Sequence, residues 1–255
     1  MRGFTAFFKK EILALIRSGK LLFLGILFVL FGIMNPAIAK LTPLLYELLS
    51  DSMAENGIVI TNTDVNALQA WIQFFKNIPI AMIVVLVMFA GSFANEYNKG
   101  SLVLPITKGL SKTAVSVVKL LTVELVWTAG YWLCYGITYA YSDYYWDNSI
   151  LFHLGEAAGF NFLLGVFLIA VMMCFAVITD SIAAPLIGTG AVFLASYLLG
   201  LLPKCAQYVP SYLSAVSPLY TGAVEPKEYI SAFIVTMILS ICAVIGMITL
   251  GKRKV

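Results

Sequence analysis

A single histidine, His153, and four scattered cysteines are all that this sequence offers a soft metal ion. Cys134, Cys174 and Cys242 lie inside apolar runs, Cys205 lies between two of them, and no Cys-x-x-Cys occurs. No zinc cluster can be assembled from one histidine, and the cysteines read as small buried hydrophobes. Enzyme signatures are missing too: there is no His-Glu-x-x-His, no Gly-x-Ser-x-Gly and no glycine-rich phosphate loop. "SGKL" at Ser18 to Leu21 lacks the final hydroxyl and the earlier glycine of such a loop. The chain therefore brings no ATP-hydrolysing machinery of its own and is expected to hold no cofactor or metal. Charge is equally scarce, at 11% of residues against roughly 25% in a soluble domain. The net charge of +3 comes from basic residues that flank apolar runs, with no basic and aromatic patch of the kind that binds nucleic acid.

What the sequence has is long apolar runs: Leu21 to Ala39, Asn77 to Asn95, Thr113 to Ala140, Gly155 to Ile178, Ile182 to Leu202 and Ile230 to Leu250. About 20 residues of helix cross a bilayer, and backbone groups in lipid must be satisfied within the segment. The expected fold is an all-α membrane protein, with six transmembrane helices in a single domain over residues 1–255. Barrel strands would be shorter and would alternate. Placing the N-terminus in the cytoplasm puts 12 of the 16 basic residues on or near that side and leaves Lys40, Lys76, Lys204 and Lys227 outside. This asymmetry predicts a multi-pass protein of the plasma membrane with both termini cytoplasmic. "AIA" before Lys40 imitates a signal-peptide cleavage site, but cleavage would leave five spans and invert the charge balance.

Residues 4–17 read as an amphipathic helix on the inner leaflet. Phe4, Phe7, Phe8, Ile12, Leu15 and Ile16 share one side and Lys9, Lys10, Arg17 and, just beyond, Lys20 the other, while Glu11 falls on the apolar side and Leu13 on the polar one. Lys40 to Lys76 is expected to be a partly helical extracellular excursion. Residues 203–228, broken by Pro203, Pro210 and Pro218, are expected to form an extracellular or re-entrant element. Tyrosines 135, 139, 141, 144, 145, 208, 212 and 220, with Trp146, suggest an interfacial belt or an aromatic exit region. Gly155 with Gly159, and Ala191 with Ala195, offer small-x-x-x-small packing faces. Glu124 is an ionisable residue inside a span and so a candidate intramembrane polar site. Thr128 stands one turn on, and a structural role, protonated or hydrogen-bonded at a helix interface, is the expectation.

Between the second and third runs lies "GSFANEYNKGSLVLPITKGLSKTAVSVVK", Gly91 to Lys119, polar and basic where its neighbours are apolar. Its core, residues 96–112, resembles the inner loop of ABC exporter permeases of the type-two (ABC-2, ABCG-like) family. The matching positions are Glu96, Gly100, Ser101, Leu102, Leu104, Pro105 and Lys112, the last a lysine where many members carry arginine. The likeness extends to the N-terminal amphipathic helix, six spans, a short "TDS" connection at Thr179 to Ser181 and "SPLY" at Ser217 to Tyr220. It implies a coupling helix, with Leu102, Leu104 and Ile106 filling a groove on a separate nucleotide-binding ATPase subunit. It also implies that ATP and Mg are bound by that partner, and that a second permease subunit completes a homo- or heterodimeric core among membrane lipids. The expected cargo is an amphipathic peptide, a lipid-like compound or a hydrophobic compound. The other readings are a channel or carrier independent of ATP, for which the spans offer only Glu124, and an intramembrane enzyme, for which no nucleophile with a partner is visible.

Overall fold

The computed structural model describes residues 2–55, 65–92, 94, 107, 109–179 and 181–254. The helices are α1 (Arg2–Arg17), α2 (Lys20–Glu55), α3 (Ala67–Ala90), α4 (Lys112–Tyr145), α5 (Leu154–Ile178), α6 (Ala183–Gly200), the single turn α7 (Ser217–Tyr220) and α8 (Ile230–Lys254). Six of these, α2 to α6 and α8, are long and apolar enough to cross a membrane, and no strand occurs among the described residues. The all-α membrane fold is as expected. An even number of crossings brings both chain ends to one face of the bundle, called the terminal face below; the opposite one is the distal face.

Several boundaries differ from the apolar runs, each for a local reason. α2 continues past Ala39 to Glu55 despite Pro36 and Pro43. α3 starts at Ala67 rather than Asn77 because Asn66 and Gln69 form a reciprocal cap: the Asn66 side chain accepts from Leu68 N at 3.0 Å, and Gln69 Oε1 accepts from Asn66 N at 3.0 Å. Such a pair satisfies two amides that a helix start otherwise leaves open. α3 then stops at Ala90, short of Asn95, in a turn at Gly91 and Ser92. Between α1 and α2 the chain turns at Gly19, whose φ of +73° suits a residue with no Cβ.

Helices in lipid gain no hydrophobic drive from meeting one another, so they associate through close approach and polar ties. Close approach occurs at four glycines the sequence pattern did not single out. Phe28 of α2 lies on Gly130 of α4, Trp127 and Met82 lie on Gly165 of α5, Ile137 faces Gly32, and Phe175 faces Gly188. A Cβ added at Gly155 or Gly159 would meet nothing within 4 Å, so that pair is not a packing face within this chain. Trp71, Phe74, Trp127 and Tyr131 are fully enclosed beside these contacts.

The main polar tie follows from a proline. Pro36 has no N–H, so the carbonyl four residues earlier, on Gly32, has no partner within the helix. Thr138 of α4 donates its hydroxyl to that carbonyl at 3.2 Å. Thr138 Oγ1 in turn accepts from Asn35 Nδ2 at 3.1 Å, and Asn35 Oδ1 accepts from Asn77 Nδ2 at 2.7 Å. α2, α3 and α4 are thus joined by a chain of buried hydrogen bonds. Nearer the distal face, Asn148 Oδ1 accepts from Trp71 Nε1 at 3.2 Å and from Ser142 Oγ at 2.8 Å.

Residues 203–228 fold as three 3-10 turns, Ala206–Tyr208, Pro210–Ser214 and Pro226–Tyr229, around α7. Leu213, Val216, Leu219 and Tyr220 are buried, and the segment packs on α5, α6 and α8. Aromatic residues of the distal end divide between two roles: Tyr141, Tyr144 and Tyr208 are exposed, as a belt requires, whereas Tyr220 stacks on Phe75 with ring centres 5.2 Å apart.

Candidate functional site

At the terminal face the buried stripe of α1 is Phe7, Glu11 and Leu15, four residues apart and so on one side of the helix. Ile16, expected on that side, is exposed. Glu11, the acid that spoiled the amphipathic pattern, lies in the middle of the stripe because it meets Lys119 of α4: Glu11 Oε2 is 3.5 Å from Lys119 Nζ, and Glu11 Oε1 is 3.0 Å from Lys10 Nζ. Lys119 is 3% exposed and also donates to the Ser92 carbonyl at 3.2 Å. The gross attraction between such charges is about 5 kcal/mol at an effective dielectric of 20, much of it offset by desolvation. The contact therefore acts chiefly on position, holding α1 against α4 and the end of α3.

Lys20 of α2 completes the arrangement by donating to the Met88 carbonyl at 3.0 Å, with its ammonium 5.5 Å from the Phe89 ring centre. Two lysines from neighbouring helices thus serve carbonyls at the C-terminal end of α3, where a helix leaves acceptors unpaired and favours cations. Chain leaving α3 at Ser92 returns at Leu110, and Leu110 lies against α1, its Cδ1 3.6 Å from where a Cβ on Gly3 would stand. α1 accordingly touches the connection between α3 and α4 directly at Leu110 and reaches its other end through Lys119.

Of the loop residues singled out from sequence, Glu96, Gly100, Ser101, Leu102, Leu104, Pro105 and Ile106 lie outside the described residues. Lys112 is the first residue of α4, after Ser111, whose hydroxyl oxygen accepts from Ala114 N at 3.2 Å. A cation there sits at the positive end of the helix dipole, where its own helix does not stabilise it.

Glu124 is half-buried in α4. Thr128 does not bond its carboxylate; the hydroxyl donates at 2.7 Å to the Glu124 backbone carbonyl instead. Among the described residues two enclosed side-chain polar atoms lack a hydrogen-bond partner, Glu124 Oε2 and Asn161 Oδ1.

Asn161 belongs to a site that sequence reasoning missed. Between α3, α5 and α6 is a cavity of 410 Å³, walled by Ile78, Met82 and Leu86 on one side and Leu164, Leu168 and Phe193 on the other. Trp127, Thr189, Gly190 and Ser214 also line it, and no charged side chain does. An asparagine in an apolar run was the one available signal, and it was weaker than that of Glu124.

The uncharacterized transmembrane protein YxlG of Bacillus subtilis (strain 168) is similar to this chain, 24% identical over 215 residues, which cover 83% of this chain and 82% of that protein. This chain is a multi-pass membrane protein. No protein-family model matches it, and no solved structure does.

Proposed function

We propose that this chain is the non-catalytic, membrane-spanning permease subunit of an ATP-driven exporter. It lies in the plasma membrane with its terminal face toward the cytoplasm, and the loop 96–112 is its coupling element. ATP and Mg are bound and hydrolysed by a separate ATPase subunit, and a second permease subunit completes the core. The cargo is an amphipathic or hydrophobic compound.

The observation that supports this most is the anchoring of the loop. Lys119 and Lys20 fasten the end of α3, Glu11 of α1 holds Lys119, and α1 lies against Leu110 at the other end of the loop. A push delivered to a loop held this way passes into three helices together instead of bending a free hairpin. The missing phosphate loop and the polar, basic loop sequence agree with energy that comes from a partner.

The test uses the ATPase that copurifies with the tagged chain. Changing Leu102 and Leu104 together to Ala removes two apolar anchors, and truncating a buried anchor costs about 2 kcal/mol or more, so association should weaken at least about thirtyfold. Asp51→Ala, in the far part of α2, should leave association unchanged. The reading is overturned if no ATPase copurifies, or if the double variant keeps full association and full transport-coupled hydrolysis.

A further inference from the structure

The elbow between α1 and α2 sets unpaired cations beside an apolar groove. Phe7 and Leu15 of α1 are buried on the bundle, so the part of α1 that faces outward carries Lys9, Leu13, Ile16 and Arg17 instead. Lys9 and Arg17 are exposed, and neither has an acidic partner among the described residues. The other cations nearby are engaged: Lys20 with the Met88 carbonyl, Lys119 with Glu11 and the Ser92 carbonyl, and Lys10 with Glu11. Ile16, next to Arg17, borders an apolar groove of 530 Å³ that runs along α2 between Leu21 and Leu30. The groove stays open because Gly25 carries no side chain; a Cβ there would meet nothing within 4 Å. Leu22, Ile26 and Leu30 beside it are exposed on the outer surface of the span.

We propose that this elbow binds one anionic phospholipid from the leaflet at the terminal face, with an acyl chain in the α2 groove and the headgroup beside Arg17 and Lys9. Length supports a chain of one leaflet: Leu21 to Leu30 covers about 14 Å of helix axis, and half of the hydrocarbon core is about 15 Å. Level supports the headgroup. Only Ser18 and Gly19 separate Arg17 from the first residue of a span, so its guanidinium stands where the apolar layer begins. A guanidinium bonds phosphate oxygens in pairs, and two cations with no acid to neutralise them complement net negative charge rather than the balanced charge of a zwitterionic headgroup. Every residue that lines the groove is apolar, so no polar group there competes with an acyl chain. The site is complete within one chain and is independent of the exporter reading.

The test counts lipids on the delipidated full chain in detergent by native mass spectrometry, with dioleoyl phosphatidylglycerol and dioleoyl phosphatidylcholine titrated separately. One phosphatidylglycerol should bind ahead of all others, and about tenfold or more tightly than phosphatidylcholine, since each cation near an anionic lipid contributes about fivefold. Arg17→Gln should remove about fivefold of that preference. Gly25→Leu should weaken both lipids at this first site, because the new side chain enters open space and fills the groove. Lys252→Gln removes a cation of the same face, on α8, and should leave the first site unchanged.

Equal binding of the two lipids would overturn the proposal. So would a preference that Lys252→Gln lowers as much as Arg17→Gln does, which would show a diffuse positive surface. Phosphatidylglycerol binding that Gly25→Leu leaves unchanged would overturn it too, by showing headgroup attraction with no chain in the groove. If Gly25→Leu instead separates a dimer that the unaltered chain forms, the groove is an interface between two copies and not a lipid site.

Discussion

Thr138→Val exchanges a hydroxyl for a methyl group while keeping size, β-branching and helical preference, so it isolates the polar tie among α2, α3 and α4. Two hydrogen bonds go at once: the one donated to the Gly32 carbonyl at 3.2 Å and the one accepted from Asn35 Nδ2 at 3.1 Å. The Gly32 carbonyl has no helical replacement, because Pro36 lacks the N–H that would reach it. Asn35 is fully enclosed and keeps only its contact with Asn77. Hydrogen bonds between helices in membranes average about 0.6 kcal/mol and reach about 1.7 kcal/mol. The pair should therefore cost about 1–3 kcal/mol. Thr122→Val is the matched control: Thr122 is also buried, but its hydroxyl donates only to Val118 O at 2.8 Å, one turn back in its own helix. That carbonyl retains its helical amide, so this change should cost less than about 0.5 kcal/mol. Reversible unfolding of both variants in mixed detergent micelles gives the comparison. Equal stability of the two would refute the assignment of a tie between helices to Thr138.

Two further outcomes are expected. Gly130→Ala places a Cβ against the Phe28 ring and should lose about 1–3 kcal/mol through overpacking, whereas Gly155→Ala, with open space around it, should be neutral or stabilising in the same unfolding assay. In a variant without the four native cysteines, cysteine at Asp143 or Glu225, both exposed on the distal face, should react with a membrane-impermeant thiol reagent in intact cells, and cysteine at Lys252 should react only after lysis; the reverse pattern would invert the proposed orientation.

The number of spans, the amphipathic N-terminal helix and the broken segment before the last span were legible because each leaves a pattern in hydropathy or in proline spacing. Helix ends were less so: a hydropathy run marks where lipid-compatible residues begin, while the Asn66 and Gln69 cap decides where α3 begins. Packing glycines were not legible. Gly130 and Gly165 are occupied by aromatic rings from other helices, and nothing in their own neighbourhood says so, whereas Gly155 and Gly159 fit a familiar spacing and have no neighbour to pack. Glu11 shows the converse. It looked like a defect in an amphipathic pattern because its partner, Lys119, is far away in sequence and belongs to a different helix. An off-pattern charge on an apolar face was the real signal, and pairing it required the fold.

The cavity was invisible for a related reason, since it belongs to no single helix. Through its polar chain the first part of the protein forms one group: Asn35, Asn77 and Thr138 join α2, α3 and α4, and Glu11 with Lys119 adds α1. The second group is α5 packed against α8 and α6, with residues 203–228 folded onto it. Among the described residues, Trp127 donates to the Phe162 carbonyl at 3.3 Å and Tyr131 to the Ala158 carbonyl at 2.8 Å across the boundary between the groups, beside the packing of Trp127 and Met82 on Gly165. The 410 Å³ space opens along this seam, with α3 of the first group on one wall and α5 and α6 of the second on the other. The described ties of the loop's ends run mostly to the first group, through Lys20, Lys119 and Leu110, with Ser92 Oγ also 3.9 Å from Met173 Sδ of α5. The end of α3 that these lysines hold continues into the helix that forms one wall of the cavity, so the terminal face and the seam are joined through α3 itself.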